Sequence, residues 1–189
     1  MLENEKFDEI LNILNAGGTI LFPTDTIWGI GCDATDEVAV EKILTLKNRK
    51  KDQGLVSLVS SVEMLKKYVL HVHPRVETLL LYHTRPVTVI YDEGFHIAAN
   101  AMGKNGSVAI RIVQDAFCRE LIEQFGKPIV ATSANIHGTP FPKNFKNISS
   151  EIIEGVDWVV KYKHENNDLN EPSVIVHLND NEELDFIRE

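Results

Sequence analysis

With 189 residues, 43% of them hydrophobic, the chain is long enough to bury one substantial core and sits near the usual size of a single domain. Its 19 basic against 28 acidic residues give a net charge of −9, which excludes a surface that attracts nucleic acid over its whole extent, so any polyanion must be held locally. Cys32 and Cys118 lack C-x-x-C or Cys/His zinc spacing, the N-terminus is acidic without a signal-peptide core, and no apolar stretch is long enough for a bilayer; the expected setting is the reducing cytoplasm, with no disulfide, no metal centre and no membrane anchor.

Residues 5–16 place Phe7, Ile10, Leu11 and Leu14 on one helical face, and Gly17-Gly18 stop that helix. Thr19 to Phe22 is a short apolar run closed by Pro23, predicted as a buried strand, and residues 23–35, rich in Thr, Asp and Gly, read as a loop. Asp36 opens a second helix, DEVAVEKILTLKNR, with its acids at the N-terminal end. The basic run at residues 47–51 follows. Its plain reading is a solvated helix end, where cations oppose the macrodipole, and charge alone favours that reading.

Leu55 to Val59 is predicted as a strand, 61–69 and 74–83 as helices, the second opened by Pro74. Further strands are expected at Val87 to Tyr91, Val108 to Ile112, Ile129 to Ala131, Trp158 to Val160, Val174 to Val176 and Leu184 to Ile187, with a helix at 115–125 stopped by Gly126. Strands interleaved with helices early, and strands with few helices late, imply one α/β domain over residues 1–189, an open twisted mixed sheet with flanking helices. The polar stretch 162–172 reads as a mobile surface loop.

Four places carry candidate chemistry. PTDTIWGIG at 23–31 is, taken alone, an ordinary strand connection; functionally, it would present hydroxyls and backbone N–H groups beyond a strand end. Lys47 and Arg49 are two apart, so they converge only at a helix end, where they would suit a polyphosphate. Arg111 lies in the apolar strand SVAIRI; it is either an outward-facing polar residue or, turned into a pocket, a planar fork for a carboxylate. Ser133 and Asn135 follow a strand in ATSAN, either as an ordinary turn or as phosphate or ribose contacts; Ser133 sits in no G-x-S-x-G motif, which argues against hydrolase chemistry. His71, His73 and His83 lack partners at a metal-binding spacing and read as surface or cap residues.

The order and spacing of PTDTIWGIGCDA at 23–34, K-x-R at 47–49, RPVTVIY at 85–91, SVAIRI at 107–112, ATSANIHGTPFP at 131–142, and PSVIVHL ahead of DFIRE resemble the YrdC/Sua5 family of threonylcarbamoyl-AMP synthases. The resemblance covers most of the chain and implies a concave active-site surface on the mixed sheet. It implies condensation of L-threonine, bicarbonate or CO2, and ATP to threonylcarbamoyl-AMP and pyrophosphate, for modification of a tRNA adenosine. Carried over by motif, Thr26, Arg111 and Ser173 would bind threonine, and Lys47, Arg49, Ser107, Ser133, Asn135 and Arg188 would face ATP. Lys47 and Arg49 would also serve catalysis, with Mg²⁺ arriving with ATP. Transfer to tRNA would need protein partners, and RNA binding by this chain would be weak and salt-sensitive. The alternative within the same superfamily is an RNA-binding or maturation factor without this catalysis. Two departures stand out. Gln53-Gly54 replaces the family's Lys/Asn-Pro pair, predicting a more flexible loop, and Thr84-Arg85-Pro86 replaces its Pro-Gly-Pro turn.

Overall fold

The structure, a computed structural model, describes residues 6–50, 53–166, 171–179 and 181–188. Glu5 of the first predicted helix, Lys51 of the basic run, residues 167–170 of the polar stretch and the last residue, Glu189, lie outside the described residues.

Among the described residues nine strands form one mixed sheet: β1 (Ile20–Phe22), β2 (Gly29–Asp33), β3 (Val56–Val59), β4 (Val87–Tyr91), β5 (Val108–Ile112), β6 (Ile129–Ser133), β7 (Trp158–Val159), β8 (Val174–Leu178) and β9 (Leu184–Arg188), in the order β7-β1-β2-β6-β3-β5-β4-β8-β9. Six α-helices accompany them among the described residues: α1 (Phe7–Asn15), α2 (Glu37–Leu46), α3 (Val62–Leu65), α4 (Pro74–Tyr82), α5 (Ala116–Phe125) and α6 (Ser150–Gly155). Each of the stronger helix signals is visible in its caps. Asp36 accepts from the N–H groups of Val38 and Ala39 at 2.8 and 3.2 Å, Pro74 stands in the first turn of α4, and Gly126 ends α5 at φ +75°. His73 Nδ1 accepts from the Arg75 N–H at 3.2 Å, so this histidine is indeed a cap.

Three expectations need correction. First, residues 23–35 are not all loop, because β2 lies within them, wholly buried and paired on both sides with β1 and β6. Its glycines hid it. A Cβ at Gly31 would come within 2.6 Å of both the Phe22 ring and the Val130 carbonyl, so the residue is set by close packing and shows no strand-like alternation. Second, the helix expected over 61–69 stops at Leu65, because Tyr68 accepts from the Phe95 N–H and Val69 bridges to Gly94, contacts that pull the chain off the helical path. Third, the described start of 162–172 is docked. Tyr162 packs on Phe117, Lys163 pairs with Asp115 at 2.7 Å, and His164 stacks on Phe145 with centroids 3.7 Å apart.

Both cysteines are free and fully buried, and burial pushes their thiols well above the ordinary range. Among the described residues no helix is long and apolar enough to cross a membrane.

The register explains where a cavity can form. Residues paired directly across strands share a face, so Ala131, Val56, Ala109 and Ile90 form one row across β6, β3, β5 and β4. A second row, two residues along β5 and β4, runs Arg111, Thr88, Ile175, Arg188 across β5, β4, β8 and β9. In the first row, Ala131 and Ala109 leave the sheet floor low. Arg111, Thr88 and Arg188 bring charged and hydroxyl groups to the second.

Candidate active site

A cavity of about 340 Å³ lies over these two rows, within the size range of sites for small molecules. One end is built by the tight connection between β1 and β2 together with Arg111. The Arg111 side chain is 6% exposed, and its Nη2 lies 3.1 Å from Asp25 Oδ1 and 3.4 Å from the Thr24 hydroxyl, to which it donates. Asp25 is equally buried, and its other carboxylate oxygen accepts the Gln114 N–H at 3.1 Å. The ion pair is close but not aligned for a hydrogen bond, since Asp25 Oδ1 has no hydrogen-bond partner, and neither does the buried Nε of Arg111. An unsatisfied donor on a buried guanidinium costs free energy unless a ligand uses it. Thr26 shares a 2.9 Å hydroxyl contact with Thr24.

From the edge strand β9, Arg188 reaches over the same face to the same end. Its Nε and Nη2 donate to the Ser173 carbonyl at 3.0 and 2.8 Å, and Ser173 exchanges a 2.8 Å hydrogen bond with Thr88. Burial, and then the charge of Arg111, hold the Arg188 guanidinium below its ordinary pKa. Two cations therefore face one small volume, which is arranged for an anion.

The other end is built differently. Lys47, the residue that ends α2, is 1% exposed, and its ammonium donates to the carbonyls of Ser133 and Asn135. The solvated helix end expected from charge alone is thus wrong for this residue. Burial, followed by repulsion from Arg49, lowers its pKa to about 8. Lys47 lies behind the cavity wall, whereas Arg49 lines it. Arg49 Nη1 donates to the Thr132 hydroxyl at 3.3 Å and Nη2 to the carbonyls of Gln53 and Gly54 at 3.3 and 2.7 Å, while its buried Nε has no partner.

These contacts also tie down the backbone at Gln53-Gly54, where the family's Lys/Asn-Pro pair is replaced. Besides Arg49, the Leu55 N–H holds it by donating to the Ala101 carbonyl at 2.8 Å, and Gln53 bridges to Gly103. Gly54 has φ +57°, a value no proline can adopt, so this backbone follows a path of its own. At the second departure, the Pro86 carbonyl accepts the Val174 N–H at 2.9 Å and so ties the turn to β8.

Of the residues singled out from sequence, Thr26, Arg49, Ser107, Arg111, Ser133, Ser173 and Arg188 line this one cavity. Asn135 and Lys47 stand beside it. The Asn135 amide donates to the carbonyls of Ile136, at 3.1 Å, and Thr139, and its buried Oδ1 has no partner. Ser133 itself belongs to β6, which runs two residues beyond the predicted strand end. Sequence reasoning passed over Asp25 and Thr24, although both lie inside the quoted PTDT motif; a lone acid three residues beyond a predicted strand gives no sign of its partner on another strand. The described residues hold no cluster of three or more His, Cys, Asp or Glu side chains that could ligate a metal.

A family profile for Sua5, YciO and YrdC proteins, described as telomere recombination, matches residues 12–189. Among curated relatives, the threonylcarbamoyl-AMP synthase of Vibrio parahaemolyticus is 32% identical over 139 residues, which is 72% of this chain and 75% of the relative. The Escherichia coli O1:K1 protein of the same name is 31% identical over 142 residues, 74% of this chain and 75% of its own. Among solved structures, P. abyssi Sua5 complexed with L-threonine matches with a TM-score of 0.80 at 25% identity, over 91% of this chain and 50% of Sua5. The chain therefore spans about half the length of that protein. E. coli YciO matches with a TM-score of 0.83 at 21% identity, over 97% of this chain and 88% of its own, a likeness of fold.

Proposed function

The chain belongs to the Sua5/YciO/YrdC family, and from that premise we propose that it is an L-threonylcarbamoyladenylate synthase, joining L-threonine, bicarbonate or CO2, and ATP for tRNA modification. The curated relatives carry that name, and one structural neighbour was solved with L-threonine. The observation that carries the reading is Arg111, a buried guanidinium on the cavity floor with an unused Nε donor. A carboxylate is the ligand its planar fork suits best.

In this reading Arg111 holds the threonine carboxylate, with Thr26 and Ser173 nearby for the rest of the amino acid. The neutral amine attacks the carbon of CO2 and loses a proton, giving a carbamate. A carbamate oxygen then attacks the α-phosphorus of ATP, the bond from that phosphorus to the bridging oxygen breaks, and pyrophosphate leaves. No covalent enzyme intermediate is required, so catalysis is positioning plus charge stabilisation, a nucleotidyl transfer. Arg49, Ser107 and Ser133 face the nucleotide, and Arg188, bonded to Ser173 at the Arg111 end, faces it from the side where the two substrates meet. Lys47 adds positive charge from behind the wall and Asn135 stands next to it. Mg²⁺ is assigned to ATP, as part of that substrate. Bicarbonate and ATP are small anions suited to a cavity of this size, whereas an RNA strand is not, and the relatives' names favour the synthase over an RNA-binding factor. Transfer to tRNA is assigned to partner proteins, a single domain in the cytoplasm being the expected state of this chain.

The test is pyrophosphate release by the purified chain with ATP, Mg²⁺, bicarbonate and each amino acid in turn. Release that requires both threonine and bicarbonate is expected. Tight RNA binding without release would favour the other reading.

A further inference from the structure

The loop after β6 has an unusual division of labour. Its base is fixed at both ends by buried Ala134 and Pro142. Inside, the Asn135 amide and the Thr139 hydroxyl and N–H all donate to carbonyls of the same loop. The His137 N–H donates to the Lys47 carbonyl at 2.9 Å, and the Lys47 ammonium takes the carbonyls of Ser133 and Asn135. Gly138, at φ +86°, turns the chain. The polar groups are thus largely spent on holding the loop's shape. At its far end Phe141 is 40% exposed, lines the cavity, and is the one aromatic ring that does so among the described residues. A large apolar ring held by a pinned loop at a cavity wall has no evident packing task and offers a flat face to a ligand.

We propose that Phe141 is the platform on which the purine base of the nucleotide stacks, held in place by a loop whose shape the Lys47 and Asn135 contacts support. The inference rests on the reading of the cavity as an ATP site and adds the residue that recognises the base. Stacking on an aromatic side chain is worth enough to be measured, and it acts on the base but not on the phosphates.

Calorimetry of wild type, Phe141→Ala and Phe141→Tyr with ATP, and separately with inorganic tripolyphosphate, separates the contributions. Phe141→Ala is expected to weaken ATP about tenfold and leave tripolyphosphate unchanged, while Phe141→Tyr stays within about twofold of wild type. Equal weakening of both ligands, or no weakening of ATP, would overturn the platform while leaving the ATP site in place. Absence of ATP binding by the wild type would instead overturn the underlying reading, and this inference with it.

Discussion

The two ends of the cavity reach positive charge by opposite routes. At the Arg111 end, cations stand on the strands themselves and their side chains point into the cavity; Arg111 faces the side chains of Asp25 and Thr24, and Arg188 bonds both the carbonyl and the hydroxyl of Ser173. At the Lys47 end, cations sit where a helix runs into a loop, and their partners are mostly backbone carbonyls. The first arrangement is suited to reading one small ligand closely, because a sheet fixes its side chains through cross-strand register. The second spends charge on shaping loops, and it can accommodate a larger ligand whose phosphates need a field more than a fitted contact.

The sharpest break in that contrast is Arg111→Ala. Threonine-dependent turnover should fall by about 10²- to 10³-fold, the scale of losing one electrostatic donor, while ATP affinity measured without threonine changes little. The same variant should lose about 3–5 kcal/mol of stability, because Asp25 would be left buried without its cation; urea unfolding checks this. Equal kinetic defects for both substrates would erase the distinction between the ends.

Lys47→Met tests the other end and should weaken ATP with little effect on threonine. Its pH dependence carries a signature. The ammonium pKa is lowered in the folded protein from 10.5 to about 8, so between those values the unfolded chain holds a proton that the folded one has released. Stability contributed by this group should therefore rise with pH across that window and be level below it. ATP affinity should move the other way, falling as pH passes about 8 and the charge is lost. Both trends should be missing in Lys47→Met, and a wild type and variant with the same pH profile would contradict the assignment. The smallest effect is expected at Ser107, whose hydroxyl donates to the Lys104 carbonyl at 3.2 Å at the cavity edge. Ser107→Ala should raise the ATP KM by about two- to tenfold, the worth of one hydrogen bond.

The contrast also explains what could be read without a structure. Strands with branched apolar residues, such as Val108–Ile112, and helices with Asp, Pro and Gly at their ends announce themselves locally, so most elements and the mixed sheet were legible. β2 was not, because Gly29 and Gly31 are chosen for close approach to neighbouring backbone, a demand set by partners far away in sequence. Likewise Arg111 was visible as an arginine in an apolar strand, but its burial against Asp25 depends on the β1–β2 connection folding over β5. Lys47 misled for the same reason. A cation at a helix end ordinarily meets water, and only the end of β6 and the loop after it supply the carbonyls that enclose it. Phe141 carried no signal at all, since one aromatic in a Gly/Pro-rich loop is indistinguishable from a packing residue.

The account stands most directly on the identity of the product. The purified chain should be incubated with ATP, Mg²⁺, threonine and bicarbonate labelled at carbon, quenched quickly because the adenylate is fragile, and analysed by mass spectrometry. The account predicts an AMP adduct that contains threonine and carries the labelled carbon, and that vanishes when any one substrate is withheld. An adduct of threonine with AMP that lacks the label, or none while ATP is bound, would contradict it.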